Sequence, residues 1–167
     1  MTSVKCLLAP IAVVAALSLA ACGGSSTLSS DQFTGLQDQA KQFAQSMQTV
    51  GADATSCADG SSAGNGSATP PDLHVVESCL ASALAKAQTS LSKIIGYTAN
   101  LTSAVDGACS TDLKAFGGAM TDVKASFAQA EAEVRERDLV KMQQTLTAVD
   151  AGAITTAGAA AEKSCQP

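Results

Sequence analysis

Four cysteines and three carboxylates are the side chains of this 167-residue chain with the best claim to chemistry: Cys57, Cys79, Cys109 and Cys165, and Glu131, Glu133 and Glu136. The cysteines lack the close ligand pairs of zinc modules, so a metal is not expected and oxidation to disulfides is. Four cysteines allow three connectivities, and spacing by itself does not choose among them. A di-iron bundle would need Glu-x-x-His pairs projecting inward, and His74 is the only histidine. On a helix Glu131 and Glu133 point in different directions, and Glu131–Arg135 and Glu133–Arg137 have the spacing of i,i+4 ion pairs, which reads as a solvated helix end. His74 is expected to be exposed. No Ser-His-Asp set and no glycine-rich phosphate loop after a strand can be assembled. The chain therefore reads as non-enzymatic, with no catalytic residue and no cofactor.

The N-terminus carries a different chemistry. Met1 to Lys5 is a short segment with one positive charge, Leu7 to Leu19 is an almost unbroken apolar run, and Leu19-Ala20-Ala21-Cys22 follows. This pattern resembles the signal peptide and lipobox of bacterial lipoproteins, over residues 1–22. The resemblance implies a diacylglyceryl group on the Cys22 thiol, cleavage between Ala21 and Cys22, and a lipid-anchored location on the extracytoplasmic face of a cell membrane. The alternative is a permanent transmembrane helix. A span needs about 20 apolar residues, the run is shorter, and Gly23-Gly24-Ser25-Ser26 follows it instead of a basic stop-transfer cluster. Residues 22–30 read as the lipidated cysteine and a flexible tether.

The rest of the chain must position whatever is anchored. Hydrophobic residues make up 46% but aromatics 3%, with no Trp, so the apolar content is largely Ala, Leu and Val, which favours close-packed helices over a β-sandwich. The net charge of −5, one unit more negative once Lys5 is lost, argues against nucleic acid as a partner. Apolar positions alternate by three and four along Phe33–Leu36–Ala40–Phe43–Met47–Val50–Ala54–Cys57, with Ser29 and Gln32 able to form a capping box. Residues 58–71 read as a loop, with Thr69 as the next cap. A second seam runs from Leu73 to Val105, ending at Gly107. A third, with Ser110 as cap, runs Leu113–Phe116–Met120–Val123–Phe127–Ala130–Val134. The pattern slips at 135–138, where Asp138 can cap a fourth helix with the seam Leu139–Met142–Leu146–Val149–Ala153–Thr156–Ala160. The expected fold is all-α: a four-helix up-down-up-down bundle over residues 31–167, the alternative being an irregular array with helix two broken at Gly96.

In that topology Cys57 and Cys79 fall near one end, and Cys109 and Cys165 at the other. The pairings Cys57–Cys79 and Cys109–Cys165 follow. Gly96, Gly117, Gly118 and Gly152 fall at similar heights beside Tyr97, either as packing glycines or as a gap for a small apolar ligand with Tyr97 as its polar handle. Two functions are thus expected: a membrane-tethered helical module that binds an envelope protein or component, or a carrier of an apolar ligand near Tyr97. No family resemblance is found for residues 31–167.

Overall fold

The computed structural model describes residues 27–60 and 73–167, which form α1 (Ser30–Gly60), α2 (Leu73–Thr102), α3 (Gly107–Arg135), α4 (Leu139–Thr147) and α5 (Ala151–Cys165). The leader, Cys22, and residues 61–72, with most of the expected loop and its Thr69 cap, lie outside the described residues, while residues 58–60 of that expected loop continue α1. The described residues are all-helical in their regular structure. α1 packs on α2, α2 on α3, and both α4 and α5 on α3.

α3 is the hub because its seam is complete. Leu113, Phe116, Met120, Val123, Phe127, Ala130 and Val134 are all buried, at the predicted spacing. α2 contributes Leu84, Ala87, Leu91, Ile94 and Leu101 together with Thr98, whose hydroxyl is satisfied by the Ile94 carbonyl at 2.8 Å. Leu73, the first member of that predicted seam, is exposed instead.

α1 begins as predicted. The Ser29 N–H donates to Gln32 Oε1 (3.0 Å) and the Gln32 N–H donates to Ser29 Oγ (3.3 Å), the reciprocal bonds of a capping box. The folded body starts earlier than the tether expected for 22–30, however. Leu28 is 1% exposed, and its N–H donates to the Cys165 carbonyl at 3.1 Å. One leucine in a Gly/Ser/Thr tract is enough to pin the strand entering α1.

The α2–α3 junction also differs from expectation. Gly107 opens α3 rather than ending helix two, and its φ of 63° lies in the left-handed region where glycine has no Cβ penalty. Ser110 is not the cap; Asp106 takes that position, and Ser110 is buried with its hydroxyl directed at the Thr102 carbonyl.

The stretch expected to be one fourth helix is two. Asp138 caps α4 as predicted, accepting from the Lys141 N–H at 3.0 Å, but Asp150 caps a separate α5 by accepting from Ala153 N–H at 2.9 Å. This break rotates the later seam by one position. Ile154, Ala161 and Cys165 are buried, while Ala153 and Thr156 are exposed.

Candidate functional site

Both disulfides have the predicted connectivity. Cys57 and Cys79 join the end of α1 to α2 with Cα atoms 5.7 Å apart, and Cys109 and Cys165 join the start of α3 to the end of α5 at 4.7 Å, both within ordinary bridging distance. Cys109 and Cys165 are buried, and Leu28 lies on the same carbonyl that ends α5. That end is closed.

The opposite end is about 40 Å away along α3 by helix rise. There the chain turns sharply. Asp138 N–H bonds to the Glu133 carbonyl (2.9 Å) and Arg137 N–H to the Val134 carbonyl (3.0 Å), the Schellman pattern, with Arg137 at φ 64° where glycine is usual. A non-glycine residue there costs roughly 1 kcal/mol or more. Arg137 reaches across to α2, its Nε 3.4 Å from Glu77 Oε1, so the first turns of α2 and the α3–α4 turn share this end. The exposed large apolar residues of the described chain sit here: Leu73 (61%) and Val75 (65%) in the first turn of α2, and Val140 (66%) in the first turn of α4. His74 is exposed as expected, with Nδ1 4.0 Å from Glu77 Oε2.

The carboxylates divide in a way the i,i+4 rule does not predict. Glu131 pairs with Arg135 at 2.6 Å and also accepts from Gln88 of α2. The Arg135 hydrogen bond, assisted by Gln88, holds the Glu131 carboxyl below the usual carboxylate range. Glu133 does not pair with Arg137. It is 7% exposed, turned under α4, and its Oε1 accepts from Gln129 (2.9 Å) and from Thr145 of α4 (3.0 Å). It is a structural tie between α3 and α4, not part of a solvated end. Removing a donor to a buried carboxylate costs about 1–3 kcal/mol. Thr145→Val should therefore lower the denaturant midpoint at unchanged slope.

Asp138 holds α4 from its other end. The Lys141 backbone N–H, then the Lys141 side chain, keep the Asp138 carboxyl below the ordinary Asp range, and Asp138 in turn raises Lys141. A depressed folded-state pKa means that this cap stabilises α4 above the ordinary Asp range and is lost as pH falls through the lowered value. An NMR titration of the Lys141 amide should show a midpoint below that of unfolded Asp, and Asp138→Asn should abolish the titration.

No protein-family model, curated protein or solved structure matches this chain.

The fold does not assemble the pocket expected at Tyr97. Gly96, Gly118 and Gly152 are exposed; a Cβ at Gly96 or Gly118 would meet nothing within 4 Å, and at Gly152 it would meet the Asp150 carboxylate of its own helix cap at 3.1 Å. Gly117 faces the Thr98 methyl. The glycine that matters to Tyr97 is Gly35 of α1. A methyl there would overlap the Tyr97 hydroxyl, which donates to the Gln32 carbonyl at 3.4 Å. Tyr97 is thus a packing residue between α2 and α1. Gly35→Ala should destabilise, because overpacking of about 1–3 kcal/mol exceeds the helix-propensity gain of about 1 kcal/mol. In a Tyr97→Phe background, which removes the overlapped oxygen, the loss should shrink; thermal melts of the four proteins measure this.

Two surface grooves follow the α1–α2 seam. The larger, about 650 Å³, lies beside the Cys57–Cys79 bridge and is lined by Asp53, Ser56, Ser78, Cys79, Ser82 and Lys86 among others. The smaller, about 320 Å³, continues past Lys86 between Ser46 and Ser90. Asp53 and Lys86 close an ion pair at 2.7 Å between them. Among the described residues no cluster of three or more His, Cys, Asp or Glu could hold a metal ion, and no helix is long and apolar enough to cross a membrane.

Proposed function

We propose that this protein is a lipid-anchored module of the bacterial cell envelope, without enzymatic activity, that binds an envelope protein through the end carrying Leu73, Val75 and Val140. In this reading residues 1–21 are removed and Cys22 carries the acyl chains, palmitate among them. The body stands on the extracytoplasmic face. Two or three chains anchor firmly, since each buried methylene adds about 0.8 kcal/mol. The up-down-up-down bundle order belongs to the same proposal, supported by the packing of α1 on α2, α2 on α3, and α4 and α5 on α3.

The observation that carries the reading is polarity of the body. Leu28 pins the anchored side to Cys165, and no more than about 20 Å of chain separates Cys22 from Leu28. The apolar side chains left in solvent are at the far end. Exposed apolar residues on two helix starts at one end, which the Arg137–Glu77 pair ties together, are what a protein-binding surface uses, and an acidic body disfavours headgroup or nucleic-acid binding by charge.

Site-specific photo-crosslinking in the native envelope tests it. A photoreactive residue at Val75 or Val140 should give one discrete protein adduct, absent from the same residue at Lys163, and lost when Leu73→Asp accompanies it. Equal adducts at Lys163, or none at either apolar position, would overturn the proposed binding end.

A further inference from the structure

The two disulfides differ in what surrounds them, and the difference has chemical content. Cys109 and Cys165 are both enclosed, with Leu28, Leu113 and Ala161 in the same buried core. Cys57 is buried, but Cys79 is half-buried and forms part of the wall of the larger groove. Ser56, Ser78, Ser82 and Ala83 are the small residues of that wall, and the longer side chains of Asp53, His74, Val75 and Lys86 complete it. Thiol–disulfide exchange requires a thiolate to reach one sulfur, so access decides which bridge reacts and at which atom.

We propose that Cys57–Cys79 is a thiol-exchange site entered through this groove, with Cys79 as the sulfur attacked, while Cys109–Cys165 is a permanent structural bridge. The co-reactant is a soluble dithiol. Its thiolate attacks Cys79 Sγ, forming a mixed disulfide and expelling the Cys57 thiolate, which takes a proton from water. The second thiol of the reductant then attacks its own sulfur in the mixed disulfide and releases Cys79 as a thiol. Two electrons pass from the dithiol, which becomes a disulfide, to the bridge.

The exchange has a structural consequence because few of the described side chains fasten the last turns of α1. Among the described side chains from Gly51 to Cys57, only Cys57 is buried; Ala54 is half-buried against the core, and Asp53 pairs with Lys86 of α2 at the surface. An exposed ion pair contributes little. Opening the bridge therefore frees the end of α1 from α2 and leaves the α3-centred core, with its own bridge, intact. The groove is an entry port for reductant and the α1 end is the part that responds.

The test uses the oxidised full-chain protein under native conditions. Dithiothreitol is added, aliquots are quenched by alkylation, and each cysteine is followed by peptide mass. Cys57 and Cys79 should become alkylated at least tenfold faster than Cys109 and Cys165. With glutathione in place of the dithiol, the trapped adduct should map to Cys79. Hydrogen exchange after selective reduction should accelerate in residues 51–57 and stay unchanged around Leu113. Equal reduction rates, faster loss of Cys109–Cys165, a glutathione adduct on Cys57, or unchanged exchange in α1 would each overturn the proposal.

Discussion

A paired Cys109→Ala/Cys165→Ala variant should unfold roughly 15 °C below the wild-type protein, a loss of about 4 kcal/mol. The bridge closes 56 residues of sequence, so in the chain-entropy account it removes more freedom from the unfolded chain than Cys57–Cys79, which closes 22. The folded state adds to the asymmetry. α5 is only 15 residues, contains Gly152 and Gly158, and buries just Ile154, Ala161 and Cys165. A Cβ at Gly158 would lie 3.4 Å from the Phe116 ring, in ordinary van der Waals contact, so this turn of α5 packs against an aromatic side chain of α3. Without the bridge the last turns of α5 lose the covalent link that aligns them. Differential scanning calorimetry of the variant, with the Cys57→Ala/Cys79→Ala pair alongside, gives the comparison. A smaller loss for the Cys109 pair than for the Cys57 pair would contradict the assignment.

The second large effect is expected at Leu28. A fully buried leucine truncated to alanine costs about 2–5 kcal/mol, and Leu28 is among the most enclosed side chains in the protein. Its position in a Gly/Ser/Thr tract makes the prediction distinctive, because substitution in a free tether would be neutral. Leu28 and Cys165 share a hydrogen bond, so Leu28→Ala and loss of the bridge should be non-additive. Urea denaturation of the single and combined variants measures the coupling. Leu28→Ala within 0.5 kcal/mol of wild type, on the order of an ordinary surface change, would show that the strap is not part of the fold.

Much of the architecture is legible in the order of residues, and the reasons are local. The α3 seam reads in full because seven apolar side chains repeat without interruption at helical spacing. The Ser29–Gln32 box and the Asp138 cap read because capping depends on residues three apart. The disulfide partners read because helix order brings each cysteine to one end or the other. The α4–α5 break does not read, since Asp150 sits among Ala, Gly and Thr, where every register offers a similar small-residue seam. The i,i+4 spacing places Glu133 with Arg137 in solvent, whereas in the fold it lies buried and bonds to Thr145, twelve residues away on α4. Height along the bundle sets Tyr97 beside Gly96, Gly117, Gly118 and Gly152. Its true partner, Gly35, depends on the rotational register between α1 and α2, which no spacing within one helix encodes.

At the candidate site the signal is weaker. The apolar character of Leu73, Val75 and Val140 is visible in the sequence, but Leu73 continues a core seam by spacing and nothing local marks it as exposed. Leu80 and Leu84 of the same seam are half-buried and buried, whereas Leu73 is exposed. Arg137 is similar. Its left-handed backbone and its bond to Glu77 are properties of the turn and of α2 together.

The anchoring of this body at a membrane through Cys22 is the claim on which the proposed function rests, and intact mass analysis of the protein extracted from its own membranes tests it most directly. The predicted result is a chain beginning at Cys22, lacking residues 1–21, with added mass accounted for by a diacylglyceryl group on the N-terminal peptide. A chain that retains Met1 to Ala21, or begins at Cys22 with an unmodified thiol, would contradict it.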